Sequence, residues 1–302
     1  MLTGSCFTEH IGQRLSELKF QTLLNPNGIL FDPISVCNSL TSYMEQRVYT
    51  KEELFYHQEL YHSWDHHSRF SAPDPEEVIE GINKSQKEAT AFLKKADWLI
   101  ITLGSANSYR LQSSGATVAN CHKAPAQTFD KHMHTIQEII TALDGMLYRL
   151  FRFNPTLQVI FTISPVRHIR DGIMENNLSK ARLLEAVHHM VDKFDRLYYF
   201  PSYEIVIDVL RDYRFYDIDL VHPNYAATQF VLEKFQQTYM DEPTTVLMEK
   251  LDKIRIARAH KPFHPASERH QEFRKKTKLQ IETLLKEHPY LDLSEELAFF
   301  EA

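Results

Sequence analysis

Two short runs, Trp98-Leu99-Ile100-Ile101-Thr102-Leu103 and Val159-Ile160-Phe161-Thr162-Ile163, are apolar or β-branched with no polar alternation. Such runs suit parallel strands covered on both faces, because a strand with one wet face would carry a polar residue at every second position. Leu197-Tyr198-Tyr199-Phe200, stopped by Pro201, is a third candidate, and Met1-Leu2-Thr3 is a short apolar start. Helical patterns long enough to cross over between parallel strands lie at residues 78–94, 129–153 and 178–194. The alternation predicts an α/β fold: a doubly wound, mostly parallel sheet in a three-layer α/β/α arrangement.

Polar residues gather where these strands end. Met1-Leu2-Thr3 runs into Gly4-Ser5-Cys6, Leu103 into Gly104-Ser105-Ala106-Asn107, and Ile163 into Ser164-Pro165-Val166-Arg167-His168. Ligands of open α/β sheets bind outside the carboxyl ends of the strands, so the three clusters can share one rim. Ser5 and Cys6 also precede an amphipathic run from Glu9 to Leu18. There, the unpaired N–H groups of a first helical turn favour a thiolate or an incoming oxyanion. Late in the chain Asp219-Leu220-Val221-His222 places a carboxylate three residues before an imidazole, the spacing of a base and its orienter, with Asp217 as a rival orienter. The bland alternative is a surface histidine beside an aspartate, with Asn224 capping a helix over residues 225–239.

Composition narrows the function classes. A chain of 302 residues with 43% hydrophobic content can bury a sizeable core. The net charge of −6 comes with no basic block of the kind nucleic acid requires; Arg274-Lys275-Lys276 lies among acids in a helical pattern. No apolar stretch approaches the ~20 residues of a membrane span, and the first residues lack a secretory pattern. Three cysteines, Cys6, Cys37 and Cys121, are too few and too scattered for a disulfide framework. A cytoplasmic location is expected.

Seven segments in order resemble the GSCFA-motif family. They are Gly4-Ser5-Cys6-Phe7-Thr8, Asn25-Pro26-Asn27-Gly28-Ile29-Leu30, His66-His67-Ser68-Arg69-Phe70, Ala119-Asn120-Cys121-His122-Lys123, Ser164-Pro165-Val166-Arg167-His168, Asp212-Tyr213-Arg214-Phe215-Tyr216 and Asp219-Leu220-Val221-His222-Pro223. That family is grouped with the SGNH, or GDSL-like, hydrolases, so the resemblance implies a flavodoxin-like α/β/α fold and esterase, deacetylase or acyltransferase chemistry. It implies Cys6 at the nucleophile position with Ser5 in place of the superfamily's aspartate, and Asp219 and His222 as the last catalytic block. Gly28 resembles the oxyanion-binding glycine, and Ser105 and Asn107 loosely echo the third block, with Asn107 one position late. Members of the family usually carry residues ahead of this motif that complete the first strand. The expected activity is hydrolysis or transfer of a small acyl group, acetyl above others, from a carbohydrate-type ester through a covalent intermediate on Cys6 or Ser5. A non-catalytic ligand-binding protein retaining the pocket is the rival.

Several other polar groups are candidates for the pocket wall. His67, Arg69, His122, Arg167 and His168 are expected to contact substrate, and the lysine of Ser179-Lys180, at the start of a helix, to reach toward the rim. The stretch His62-Ser63-Trp64-Asp65-His66-His67 is dense in metal-capable groups, but density is not geometry, and no metal or other cofactor is expected. Cys121-His122 in an extended segment would point to opposite faces. Residues 1–240 are read as the catalytic domain and 241–302 as a helical extension with Phe263, Phe273, Phe299 and Phe300 as apolar anchors, which could also serve a homodimer.

Overall fold

The computed structural model describes residues 1–301. In chain order they form β1 (Leu2–Gly4), α1 (Cys6–Glu17), α2 (Pro33–Met44), β2 (Leu54–His57), β3 (Leu60–Ser63), α3 (Pro75–Lys95), β4 (Trp98–Leu103), β5 (Asn107–Leu111), β6 (Thr117–Val118) and β7 (Phe129–Met133). There follow α4 (Ile136–Phe153), β8 (Gln158–Ile163), α5 (Ile173–Lys193), β9 (Leu197–Phe200) and α6 (Ser202–Glu204), the last running into a π-helical stretch, Ile205–Leu210. The chain closes with α7 (Tyr225–Tyr239), α8 (Glu242–Ala259), α9 (Glu268–Glu287) and α10 (Ser294–Glu301).

Two compact units result, one from Met1–Gly12 with Thr22–Leu232 and one from Gln13–Gln21 with Glu233 onward. The first is a mixed α/β unit whose central sheet runs β1-β4-β8-β9, every neighbouring pair parallel. Leu2 also bridges Leu24 in parallel on the free side of β1. Counting that bridge as a strand, the order is the 2-1-3-4-5 of flavodoxin-like sheets, in which ligands bind where the winding direction reverses, between β1 and β4.

Strand residues sort by parity. Leu99, Ile101, Leu103, Val159, Phe161 and Ile163 share one buried cluster with Leu40 of α2, Leu93 of α3, Leu143 of α4 and Val187 of α5. Ile100, Thr102, Ile160 and Thr162, of opposite parity, are buried too, and Thr162 meets Ser202 of α6 at 2.6 Å between hydroxyl oxygens. Both faces are covered, as the unalternating sequence requires.

The pattern over residues 129–153 is not one helix. Phe129–Met133 pairs antiparallel with β5, and the helix starts only after Thr135, whose side chain accepts from Glu138 N–H while Glu138 accepts from Thr135 N–H. Such a reciprocal cap satisfies two orphan donors and so fixes where the helix begins. The β2–β3 hairpin and the β6-β5-β7 sheet are further insertions. Between β6 and β7, His122 and Lys123 have φ of 47° and 58°, so the segment around Cys121 is a turn and not extended.

Asp32, 2% exposed, caps α2 by accepting Ser35 N–H at 2.9 Å, with Pro33 following at the first helical position. Burial lifts its carboxyl to about 6 against the bonds from the cap. A folded value above the unfolded one means that stability is lost as pH rises from near 4 through 6. Asn caps as well as Asp, so Asp32→Asn is expected to match the parent at pH 4. By pH 7.5 it should be more stable by about 2–3 kcal/mol, read as a Tm raised by several degrees. A Tm difference independent of pH would show that Asp32 ionises normally.

The second unit buries Leu18, Met248, Leu251, Ile254, Ile281, Leu284, Leu293 and Phe300 in its own cluster. Arg14 bridges Asp252 at 2.6 Å and Lys19 bridges Glu296 at 2.8 Å. Of the expected aromatic anchors, Phe300 is buried and Phe273 packs against the cluster, but Phe263 is 97% exposed and anchors nothing. No helix among the described residues is long and apolar enough to cross a membrane.

Candidate active site

The end of β1 is held from three sides. Gly4 N–H donates to Asn25 Oδ1 at 2.9 Å, Leu30 N–H to Gly4 O at 3.0 Å, and Ser5 N–H to Thr102 O at 3.0 Å. The chain then turns straight into α1, whose first residue is Cys6. Cys6 is half-buried, whereas Ser5 is 3% exposed with its hydroxyl buried and unpartnered. Of the two candidate nucleophiles, the serine is the more deeply buried.

Burial and then the Glu9 carboxylate push the Cys6 thiol up; the N–H groups of Phe7 and Cys6 and the charge of Lys180 pull the other way without prevailing. The helix terminus expected from the sequence favours a thiolate; desolvation overrides it here.

Lys180 lies in the middle of α5, not at its start. It is 1% exposed and donates from Nζ to Gly104 O at 2.5 Å and Ser164 O at 2.6 Å, the first residues beyond β4 and β8. Burial lowers its amine to about 7, with the Cys6 charge working against that shift. The signal in the sequence was a lysine three and seven residues before Leu183 and Val187, on a buried helical stripe. Gly104 and Ser105 both donate N–H to Phe31 O, at 2.7 and 3.0 Å.

Asp219 and His222 do meet. Nδ1 of the imidazole lies 2.6 Å from Asp219 Oδ2, while Oδ1 accepts Val221 N–H at 2.9 Å and His222 N–H at 3.0 Å. These bonds hold the carboxyl down at about 2. The rival Asp217 supplies main-chain bonds to the same turn, donating N–H to His222 O at 2.8 Å and accepting from Leu220 N–H at 2.9 Å. The pair is about half exposed. Arg167 N–H donates to Val221 O at 3.2 Å, tying this loop to the one after β8.

His168 lies near the exit of β4, its Nε2 3.4 Å from where a Cβ at Gly104 would stand. Burial lowers it to about 4, and the charges of Lys180 and His222 press in the same direction. The groups whose charge is felt at the Cys6 sulfur are Glu9 and Lys180, and His222 is felt at His168.

A cavity of about 620 Å³ has Ser105, Asn107, His122, Arg167, His168 and Val221 in its wall. Cys6, Ser5, Gly28, His67, Arg69, Asp219 and His222 are not part of that wall. Gly28, at φ +83°, closes a turn by donating N–H to Asn25 O at 2.7 Å, and a Cβ there would lie 2.1 Å from His67 Cβ. Its N–H is committed and is not a free oxyanion donor. Ser105 Oγ accepts Asn107 N–H at 3.0 Å and lies 3.3 Å from Ser179 Oγ. Arg69 donates Nη2 to Asn25 O at 2.6 Å and Pro26 O at 2.9 Å, so it clamps the loop behind β1. His67 accepts Arg69 N–H on Nδ1 at 3.3 Å. His122 has both ring nitrogens engaged, with Ser68 Oγ at 3.2 Å and Ser63 O at 2.8 Å. These three positions hold loops together in this conformation.

Residues 1–235 match the GSCFA family, and residues 251–302 match the GSCFA domain protein, C-terminal domain. The chain belongs to the GSCFA family. No curated protein matches it. Among solved structures, it is similar at 15% identity and a TM-score of 0.28 to an acetyl xylan esterase, Est2A, from the rumen bacterium Butyrivibrio proteoclasticus. The alignment covers 58% of this chain and 44% of that one, less than half of the esterase.

Proposed function

We propose that this GSCFA protein is a cysteine-dependent acyl-transfer enzyme of the SGNH type, an esterase or O-acyltransferase for a small acyl group, acetyl first, on a carbohydrate-type ester. The observation that carries the reading is the half-buried Cys6 at a helix N-terminus beside the reversal point of the parallel sheet, while Ser5 next to it is sealed in.

Because burial keeps the resting thiol protonated, a base must take its proton as the sulfur–carbon bond forms. His222, held in one tautomer by Asp219, accepts that proton and returns it to the departing alkoxide. The tetrahedral oxyanion falls to the N–H groups of the first turn of α1, Cys6 N–H foremost, since those of Gly28, Gly104 and Ser105 are committed. Water, or the hydroxyl of an acceptor, then attacks the thioester and gives its proton to His222, and as the carbon–sulfur bond breaks that proton passes to the sulfur.

Intact mass after incubation with p-nitrophenyl acetate tests this. A single acetyl is expected on the peptide carrying Cys6, labile to neutral hydroxylamine as a thioester is, and formed more slowly in His222→Ala. An adduct on another residue would reverse the assignment. The committed N–H groups favour a second reading, a ligand-binding protein without turnover. For that protein no activated ester of any acyl length would leave an adduct.

A further inference from the structure

Away from the strand-end rim, β7, the residue after it and the first turn of α4 bring three metal-capable side chains together. His132 and His134 are two apart on an extended segment and so share a face, and Glu138 is the residue whose carboxylate caps α4. One nitrogen or oxygen from each of the three lies within 4.8 Å of the others, and no other such trio occurs among the described residues. His132 Nε2 is 3.0 Å from Glu138 Oε1, and His134 Nδ1 is 4.0 Å from Glu138 Oε2. Ligands on a tetrahedral zinc, at ~2.0–2.1 Å from the metal, stand about 3.4 Å apart, so small side-chain rotations bring this trio to that spacing.

A helix cap plus a surface ion pair accounts for Glu138 and His132 but not for His134. That imidazole is 2% exposed, its Nδ1 is buried with no hydrogen-bond partner, and Nδ1 is the atom facing the carboxylate. A buried unsatisfied nitrogen is costly unless something completes it. Its other nitrogen, Nε2, lies 2.7 Å from Ser108 Oγ of β5. If Nε2–H donates to that hydroxyl, the lone pair falls on Nδ1, an arrangement typical of metal-binding histidines. Glu138 is oriented in turn by Thr135, whose N–H and Oγ1 donate to Oε2 at 2.7 and 3.0 Å, so that Oε1 faces His132. The opposing group is Arg110, partly exposed, whose Nη2 stands 3.8 Å from Oε1.

We propose that His132, His134 and Glu138 bind one divalent transition-metal ion of the zinc type, with a water or other small ligand in the remaining position. The ion would fasten the β5–β7 sheet to the start of α4 and is independent of the chemistry proposed for Cys6.

The full chain, stripped with chelator, should take up one equivalent of Zn²⁺ in competition with a chromophoric chelator, and its Tm should rise with added zinc. Glu138→Gln keeps the cap, because glutamine serves in the same motif, and should weaken binding at least tenfold. His134→Ala should do the same, and Arg110→Ala should bind zinc as tightly as the parent or more so. No stoichiometric uptake by the parent protein, or an affinity unchanged in Glu138→Gln and His134→Ala, overturns the proposal and assigns any zinc to other histidines among the sixteen.

Discussion

Cys6→Ala is expected to lower turnover of p-nitrophenyl acetate by ~10³-fold or more, leaving only what binding and polar stabilisation supply without a covalent step. Alanine is the best helix former and Cys6 is the first residue of α1, so Tm should move by no more than a few degrees. Ser5→Ala should cost less than about tenfold, because a buried hydroxyl without a base at hand contributes little to the reaction. His222→Ala should fall between, at ~10²–10⁴-fold, the usual range for a general base. Steady-state rates with burst amplitudes separate the three. Full loss in Ser5→Ala together with near-parental activity in Cys6→Ala would transfer the nucleophile to the serine.

Gly4→Ala is expected to be the most damaging exchange of small residues in the chain. Gly4 sits at φ +134°, and a Cβ there would lie 2.1 Å from Thr102 O, 2.8 Å from Thr102 C and 2.9 Å from Thr102 N. All three are main-chain atoms of β4, with no flexible side chain to give way. The register pairs Gly4 with Thr102, so relief requires pushing β1 away from β4 and loses the bond from Ser5 N–H. A loss above 4 kcal/mol is expected, enough to leave much of the protein insoluble or to lower Tm by ten degrees or more. Gly145→Ala is the matched control: it sits on an exposed part of α4 with nothing within 4 Å of a new Cβ and should gain up to ~1 kcal/mol. Equal Tm values for the two variants would refute the steric account.

The central sheet was legible because its strands are covered on both faces: the run at 98–103 coincides with β4, and that at 159–163 lies within β8. The insertions were not. β7 reads as the front of α4 because Phe129, Met133 and Ile136 fit a helical stripe about as well as a strand, and only pairing with β5 decides. The Asp219/His222 pair was visible because its geometry is local, three residues within one turn. The grip of Lys180 on the carbonyls of Gly104 and Ser164, and the committed N–H of Gly28, depend on where distant loops come to rest, which no spacing records. The His132/His134/Glu138 trio went unnoticed for another reason: its three residues straddle a strand end and a helix cap, so no single periodicity lines them up.

The two carbonyls gripped by Lys180 belong to different strand exits, while the lysine itself rides on a helix that neither exit contains. Should α5 open locally at this depth, Nζ would withdraw and both peptide oxygens would be stranded at the same instant. The exits of two parallel strands are thus fastened to the integrity of one helix, and a molecule that breathes there loosens both together.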